Sequence, residues 1–324
     1  MKQLLTALVA LSLGAAFTPA ALAQAWPTAK PVTLLVPFPP GGSTDAIARL
    51  LGNKLQEQLS GNFVVDNRGG AGGTIGTAAA KRAAPDGYTV LVTSLGPLVI
   101  GPHLLKNIGY EPTKDLDYIT VAVQAPNVLV VPAPSPHKTM ADVLAFMKAH
   151  PDKMSFGTSG NGSSDHITAE LFWQQTGTAG LHIPYKGGGP VMTDLLGNQV
   201  DSSFMNINTA LPQIKAGKLR ALGITSTKRS PVLPDVPTMD ELGIKGVQVY
   251  SWQAVAAPKG LPADIKTRLH AAIVKTLNSA DVKPKLVEQG FEIVANTPEQ
   301  FTTFQHAEFE RWKKVITDRK ITAD

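Results

Sequence analysis

Two short stretches bring together the residues that could do chemistry. PPGGSTD runs from Pro39 to Asp45, and GTSGNGSSDH runs from Gly157 to His166. Each follows an apolar run of strand character and precedes a run with helical spacing of its apolar residues. Prolines hold the backbone extended, and glycines let it turn with N–H groups uncovered. Ser43, Thr44 and Asp45 are residue types that cap a helix start. Amides that converge at the positive end of a helix offer a seat for a carboxylate or a phosphate. Alone, the first loop reads better as a tight, well-capped turn. A second loop in the other half of the chain shifts the balance toward a cleft with two donor-rich rims. Ligands of open α/β sheets sit outside the carboxyl ends of the strands, where both loops fall.

Other chemistry is thin. There is no Gly-x-x-x-x-Gly-Lys-Ser/Thr segment, and Gly70, Gly72 and Gly76 are spaced one residue too long for the dinucleotide pattern. Gly69 to Gly73 are expected to let a loop pass close to the cleft floor, or a helix pack tightly on the sheet. No Gly-x-Ser-x-Gly elbow or His-Glu-x-x-His pair occurs, and the seven histidines lack metal-ligand spacing, so no catalytic residue, metal or cofactor is expected. Only His166 falls near the site. A lone histidine in a first helical turn is more often a hydrogen-bonded structural residue than a general base. Asp165 and Lys186 are expected on solvated rims.

The elements that must position these loops alternate. PVTLLVPF is a strand, and Ile47, Leu50, Leu51, Leu55 and Leu59 form a helical stripe after it. NFVVDN, RGGAGG and TIGTAAAKRAA repeat the strand–turn–helix order, and YTVLVTS adds a buried strand. After the extended YITVAVQAPNVLVVPAPSP the rhythm restarts with MADVLAFMKAH, KMSFG, DHITAELFWQQTG, LHIPY and VMTDLLG. VQVYSWQAVAAP then returns as an extended stretch. Two helices close the chain, the second opening with Thr297-Pro298-Glu299-Gln300, and both are expected to pack on the first half. The reading is α/β, with domain 1 from 24–125 plus 247–324 and domain 2 from 126–246.

The first 23 residues have a basic start at Lys2, an apolar run from Leu4 to Phe17 and a small-residue Ala-Leu-Ala site, the pattern of a cleaved leader with the mature chain starting at Gln24. That run is shorter than the ~20 residues a spanning helix needs. The chain has no cysteine, which excludes disulfides, thiolate metal sites and a lipidated cysteine. Net charge is +5, or +4 without Lys2, with the basic residues scattered, which argues against nucleic acid as a partner.

With these features in place, the chain resembles the Bug family, periplasmic solute-binding receptors of tripartite tricarboxylate transporters. The resemblance rests on VPFPPGGSTDAIARLL, VDNRGGAGGTIGTAAA, APDGYTVLV, GNGSSDHITAELF, HIPYKGGGPVMTDLLGNQVD, IKAGKLRALGITSTKRSPVLPDVPT and the tryptophan of VYSW. It implies a type II periplasmic binding protein-like fold, two α/β domains joined by a two-strand hinge. It also implies a monomeric periplasmic receptor without catalysis, whose partners are a small carboxylate and the membrane subunits of a carrier. The family's loop donors map here to Pro40, Gly41, Gly42, Ser43, Thr44 and Asp45 and to Ser159, Gly160, Asn161, Gly162 and Ser163, with His166 nearby. Ser94, Tyr185, Asn206 and Trp252 are the candidates for the distal end of the ligand.

Three positions depart from the family pattern: Met205 stands where an aspartate is frequent, Asp165 where a small residue is usual, and Gly69 where a proline is usual. Met205 favours a diacid with an apolar, even aromatic, body. The rival readings are an exported hydrolase or transferase using His166 with a nearby serine, and a carboxylate receptor serving a membrane sensor.

Overall fold

The computed structural model describes residues 26–322. The expected leader and the start at Gln24 lie outside the described residues. The chain opens with β1 (Val32–Val36), α1 (Ser43–Leu59), β2 (Phe63–Asn67), α2 (Thr74–Lys81) and β3 (Thr89–Ser94). β1 lies between β2 and β3 and is parallel to both, which is why VTLLV reads as an almost unbroken apolar run: it is buried on both faces. α1 presses Ile47, Ala48, Leu51 and Leu55 onto this sheet at helical spacing, and ends at Ser60 in the left-handed conformation. A π-helical turn over Gly96–Ile100 and the short helices α3 (Gly101–Leu104) and α4 (Pro112–Asp115) follow.

The 17-residue strand β4 (Leu116–Pro132) then leads to α5 (Met140–Ala149), β5 (Ser155–Thr158), α6 (Ser164–Thr176), β6 (Leu181–Pro184) and α7 (Gly188–Leu196). β7 (Ser203–Asn206), α8 (Ile207–Lys215) and β8 (Leu219–Ile224) come next, and β9 (Tyr250–Pro258) returns. The chain closes with α9 (Ala263–Leu277), α10 (Lys283–Glu288), β10 (Glu292–Ile293) and α11 (Pro298–Arg319). α11 starts with the expected capping box, with Thr297 and Gln300 satisfying each other's amides. None of the described helices is long and apolar enough to cross a membrane.

β4 belongs to two sheets. Leu116 to Pro126 pair antiparallel with β9, in a sheet ordered β10–β4–β9–β3–β1–β2. Asn127 to Pro132 instead pair with β7 and β8, and β7 touches β5 through a bridge between Phe156 and Ser202. β5 in turn runs parallel to β6. Pro126, which has no N–H to give a ladder, sits where the partners change. α9 packs on α1 and β4, and α11 covers β4 and the π-helical turn, so both closing helices lie on the sheet that carries β1. Under α11, Trp252 meets Phe301 edge-on; in the other half, Phe156, Phe172 and Phe204 form the centre of the core.

Candidate functional site

Helix α1 starts directly after Gly42, an extended residue at φ −92°, ψ 174°, and no side chain caps it. Ser43, Thr44 and Asp45 are thus its first three helical residues, not its cap. Asp45 turns back over the loop, where Oδ2 accepts from the Gly41 amide at 3.0 Å and from Arg49 Nε at 3.0 Å, and Oδ1 accepts from Asn67 Nδ2 at 3.0 Å. Burial works against ionising this carboxyl. Hydrogen bonds from Arg49, Gly41 and Asn67, with the charge of Arg49, outweigh it and hold Asp45 below the usual carboxylate range. The amides of Gly42, Ser43 and Thr44 find no acceptor among the described residues. Ser43 Oγ reaches across to 2.9 Å from Asn206 Oδ1, 2.7 Å from Asn208 Oδ1 and 3.3 Å from Thr209 Oγ1. Its single proton therefore faces three oxygens.

The second loop spends its donors internally. Ser159 gives both its amide and its hydroxyl to Asp165 Oδ2, at 2.6 and 2.8 Å. The Gly160 amide reaches Thr158 Oγ1 at 3.3 Å, Gly162 donates to His166 Nδ1 at 3.2 Å, and the Ser163 amide donates to the Gly160 carbonyl at 3.1 Å. Ser163 is the N-cap of α6, accepting from the His166 amide.

The expectation that Asp165 lies on a solvated rim is corrected: it is 5% exposed. Burial pushes its pKa up, and the bonds from Ser163 and Ser159 offset this only in part. His166 is 1% exposed and stacks on His182 with ring centroids 4.3 Å apart. Burial, and secondarily His182, drive its pKa down to about 3, so the ring is neutral and serves as a hydrogen-bond acceptor that shapes the loop.

Between the two helix starts lies a cavity of about 50 Å³, room for more than a single water. Of the residues singled out in the sequence, Gly42, Ser43, Thr44, Ser94, Ser159, Ser163 and Asn206 line it. The other candidates do not. Pro40 and Gly41 abut Gly189, and Asp45 is held under its own loop. Gly160 packs beside Tyr185 and Gly72, while the carbonyls of Asn161 and Gly162 face Gly72 and Gly96. A Cβ on Gly72 would stand 2.0 Å from the Asn161 oxygen, so the loop after β2 touches the second rim, and only glycine fits there. His166 is below the loop. Tyr185 points its hydroxyl at Asp194, 2.5 Å away. Trp252 lies in the core beneath α11, 6.0 Å from Phe301 and 5.6 Å from Phe304 between ring centroids.

Sequence reasoning missed Phe38, Ser164, Asp165, Gly188, Thr209, Ser251 and Gln253, which also line the cavity together with Met205. Strand periodicity held a signal for two of them. Side chains alternate along β9, so if Trp252 faces the core then Ser251 and Gln253 face the other way. The cavity wall contains no lysine or arginine. Its chemistry is that of neutral donors at α1, hydroxyls and amides around them, and one buried carboxyl at α6.

Comparison with known proteins places the chain in a family and a fold. Residues 47–321 match the family described as tripartite tricarboxylate transporter family receptor. The structure of the periplasmic binding protein BugD superposes with a TM-score of 0.87 at 35% identity, covering 91% of this chain and 99% of that one. Rpa4515 of R. palustris, solved with adipate, gives a TM-score of 0.88 at 34% identity over 92% and 99% of the two chains. MatC from Rhodopseudomonas palustris, solved with bound malate, gives 0.85 at 31% identity over 89% and 99%.

Proposed function

The chain belongs to the tripartite tricarboxylate transporter receptor family, periplasmic solute-binding proteins and not enzymes, and on that premise we propose that it captures a small carboxylate in its cleft and delivers it to the membrane subunits of such a carrier. The observation that carries this reading is the set of unsatisfied first-turn amides at Gly42, Ser43 and Thr44, opening at a helix N-terminus into a cavity without a basic residue. A carboxylate there meets several fixed donors and a favourable field. A buried lysine or arginine would hold an acid too, but would be left poorly paired whenever the cleft emptied. Micromolar binding corresponds to about 8 kcal/mol, within reach of a few charge-assisted hydrogen bonds plus apolar contact from Met205 and Phe38 after ordering losses. The adipate and malate seen in relatives belong to the same ligand class.

In this reading 24–125 with 247–324 forms one lobe and 126–246 the other, with hinges where β4 changes partners at Pro126–Asn127 and where the chain enters β9. Ligand held by both lobes selects the closed state, since only differential contact shifts such an equilibrium.

Ser43→Pro tests the amide directly. Position 43 is the first residue of α1, where proline is well tolerated, and Gly42 already has the extended backbone that a following proline requires. Ser43→Ala is the control that removes the hydroxyl and keeps the N–H. By calorimetry with the best acid from a thermal-shift screen, Ser43→Pro is expected to bind at least about tenfold more weakly than Ser43→Ala, the loss of one charge-assisted bond. Equal affinities would remove the α1 amides from the site.

A further inference from the structure

Among the groups lining the cavity, two are acceptors that no ligand carboxylate can satisfy. One is the carboxyl of Asp165, buried at the start of α6. Both of its hydrogen bonds from Ser159 fall on the single oxygen Oδ2, Ser163 adds a further one, and no cation pairs with it among the described residues. The other is Gln253 Oε1, on a side chain 1% exposed, which has no hydrogen-bond partner while its amide nitrogen donates to Ser251 Oγ at 3.1 Å. Gln253 Oε1 is thus a buried acceptor without a donor, which is costly, and a functional pocket is a common reason for one.

The donors lie elsewhere on the wall. The unsatisfied amides belong to α1, and Ser94 contributes a hydroxyl at the end of β3. The α6 loop cannot act as a second seat for an acid while Asp165 holds the Ser159 amide and hydroxyl; its own carboxyl already fills that place. A ligand carboxylate brought to α6 would find the Ser159 amide and hydroxyl already taken by Asp165 Oδ2, with no lysine or arginine in the cavity wall to hold it.

We propose that the ligand carries one carboxylate, seated on the α1 amides, and hydrogen-bond-donating groups such as hydroxyl, ammonium or primary amide, presented to Asp165 and Gln253. Asp165 is the specificity-determining residue that rejects a second ionised carboxylate. This deepens the carboxylate-receptor reading and rests on it, and it replaces the diacid suggested by Met205 with a hydroxy, amino or half-amide acid.

The experiment uses matched probes that differ only in the second group: succinate against succinamate, adipate against adipamate, and terephthalate against its half-amide. Dissociation constants are measured by calorimetry at pH 8 for the wild type, for Asp165→Ala and for Asp165→Asn, which keeps the size of the side chain and an oxygen for Ser159; melting curves check that each variant folds. In the wild type the half-amide of at least one pair is expected to bind at least tenfold more tightly than its diacid. In Asp165→Asn that preference shrinks to less than threefold, with the diacid gaining. A diacid that binds the wild type as tightly as its half-amide, or a preference unchanged in both variants, overturns the inference and leaves the carboxylate reading standing. Should none of the six acids bind the wild type or either variant, the carboxylate reading fails and this inference fails with it.

Discussion

The two loops that begin α1 and α6 share their order of strand, glycine-rich turn and helix, and each places an aspartate in the first helical turn, yet they end in opposite states. Asp45 is drawn away from the cavity by Arg49 and Asn67, and it leaves the amides of Gly42 to Thr44 open. Asp165 finds no cation among the described residues, stays in the cavity and occupies the donors of Ser159. The same local pattern thus yields one open anion seat and one already filled. What separates them lies outside the loops: an arginine one turn on and an asparagine at the end of β2 for the first, and neither for the second.

The largest effect is expected where the region after β2 meets the second rim. A methyl at Gly72 would lie 2.0 Å from the Asn161 carbonyl oxygen, a backbone atom that moves only if the two sides part. Gly72→Ala should therefore disfavour the closed cleft, weakening ligand about 100-fold or more by removing closed-state contacts. Stability should fall only by the ~1–2 kcal/mol that a side chain pays at φ +62°. Small-angle scattering at saturating ligand separates the cases. Compaction equal to that of wild type, with affinity intact, would mean the contact between rims is incidental.

The second rim should also be the acid-sensitive one. His166 is neutral in the native state and accepts from Gly162, with its pKa lowered from 6.5 to about 3. The unfolded chain takes up the proton first, so this contribution is complete above about pH 6.5 and is lost progressively as pH falls toward 3. From pH 7.5 to 5.5 it amounts to roughly 1.4 kcal/mol. His166→Asn retains an acceptor for Gly162 and does not titrate. Urea midpoints across that range should fall less steeply in the variant; parallel slopes would assign the acid loss to other groups, such as His103 or His182, which burial also shifts downward.

How far the sequence reveals this contrast depends on how local each cause is. β1 and the stripe of α1 are legible because burial imposes their periodicity, and so is the position of both loops between strand and helix. The side of the sheet that Trp252 faces is not, because its large apolar ring suits either a ligand or a core and only the packing of α11 decides. Nor is the region from Ser203 to Ile224: β7 is four residues long, and α8 contains Pro212, so neither offers a clean period. Asn206 is legible as a candidate from the resemblance, whereas nothing in the spacing points to Thr209, three residues on in α8. His166 is buried against His182, and the second rim meets the loop after β2, partners that no spacing within the α6 segment encodes.

The smallest effect should come from Arg49, and its pH dependence is the sharpest test of why the first rim is open. The guanidinium is half-exposed, so Arg49→Met should cost only about 0.5–1 kcal/mol at pH 7. Asp45 has a depressed pKa, so its contribution is present above the ordinary 3.8 and is lost as pH falls through the folded value. At an acid pH where Asp45 is protonated in both proteins, wild type and Arg49→Met should converge in urea midpoint. A gap of equal size at both pH values would instead assign the role of Arg49 to its hydrogen bond with Asn67, 3.2 Å from Nη2 to Oδ1. The seat at α1 would then be held open by positioning of the β2 end, not by neutralisation of its aspartate.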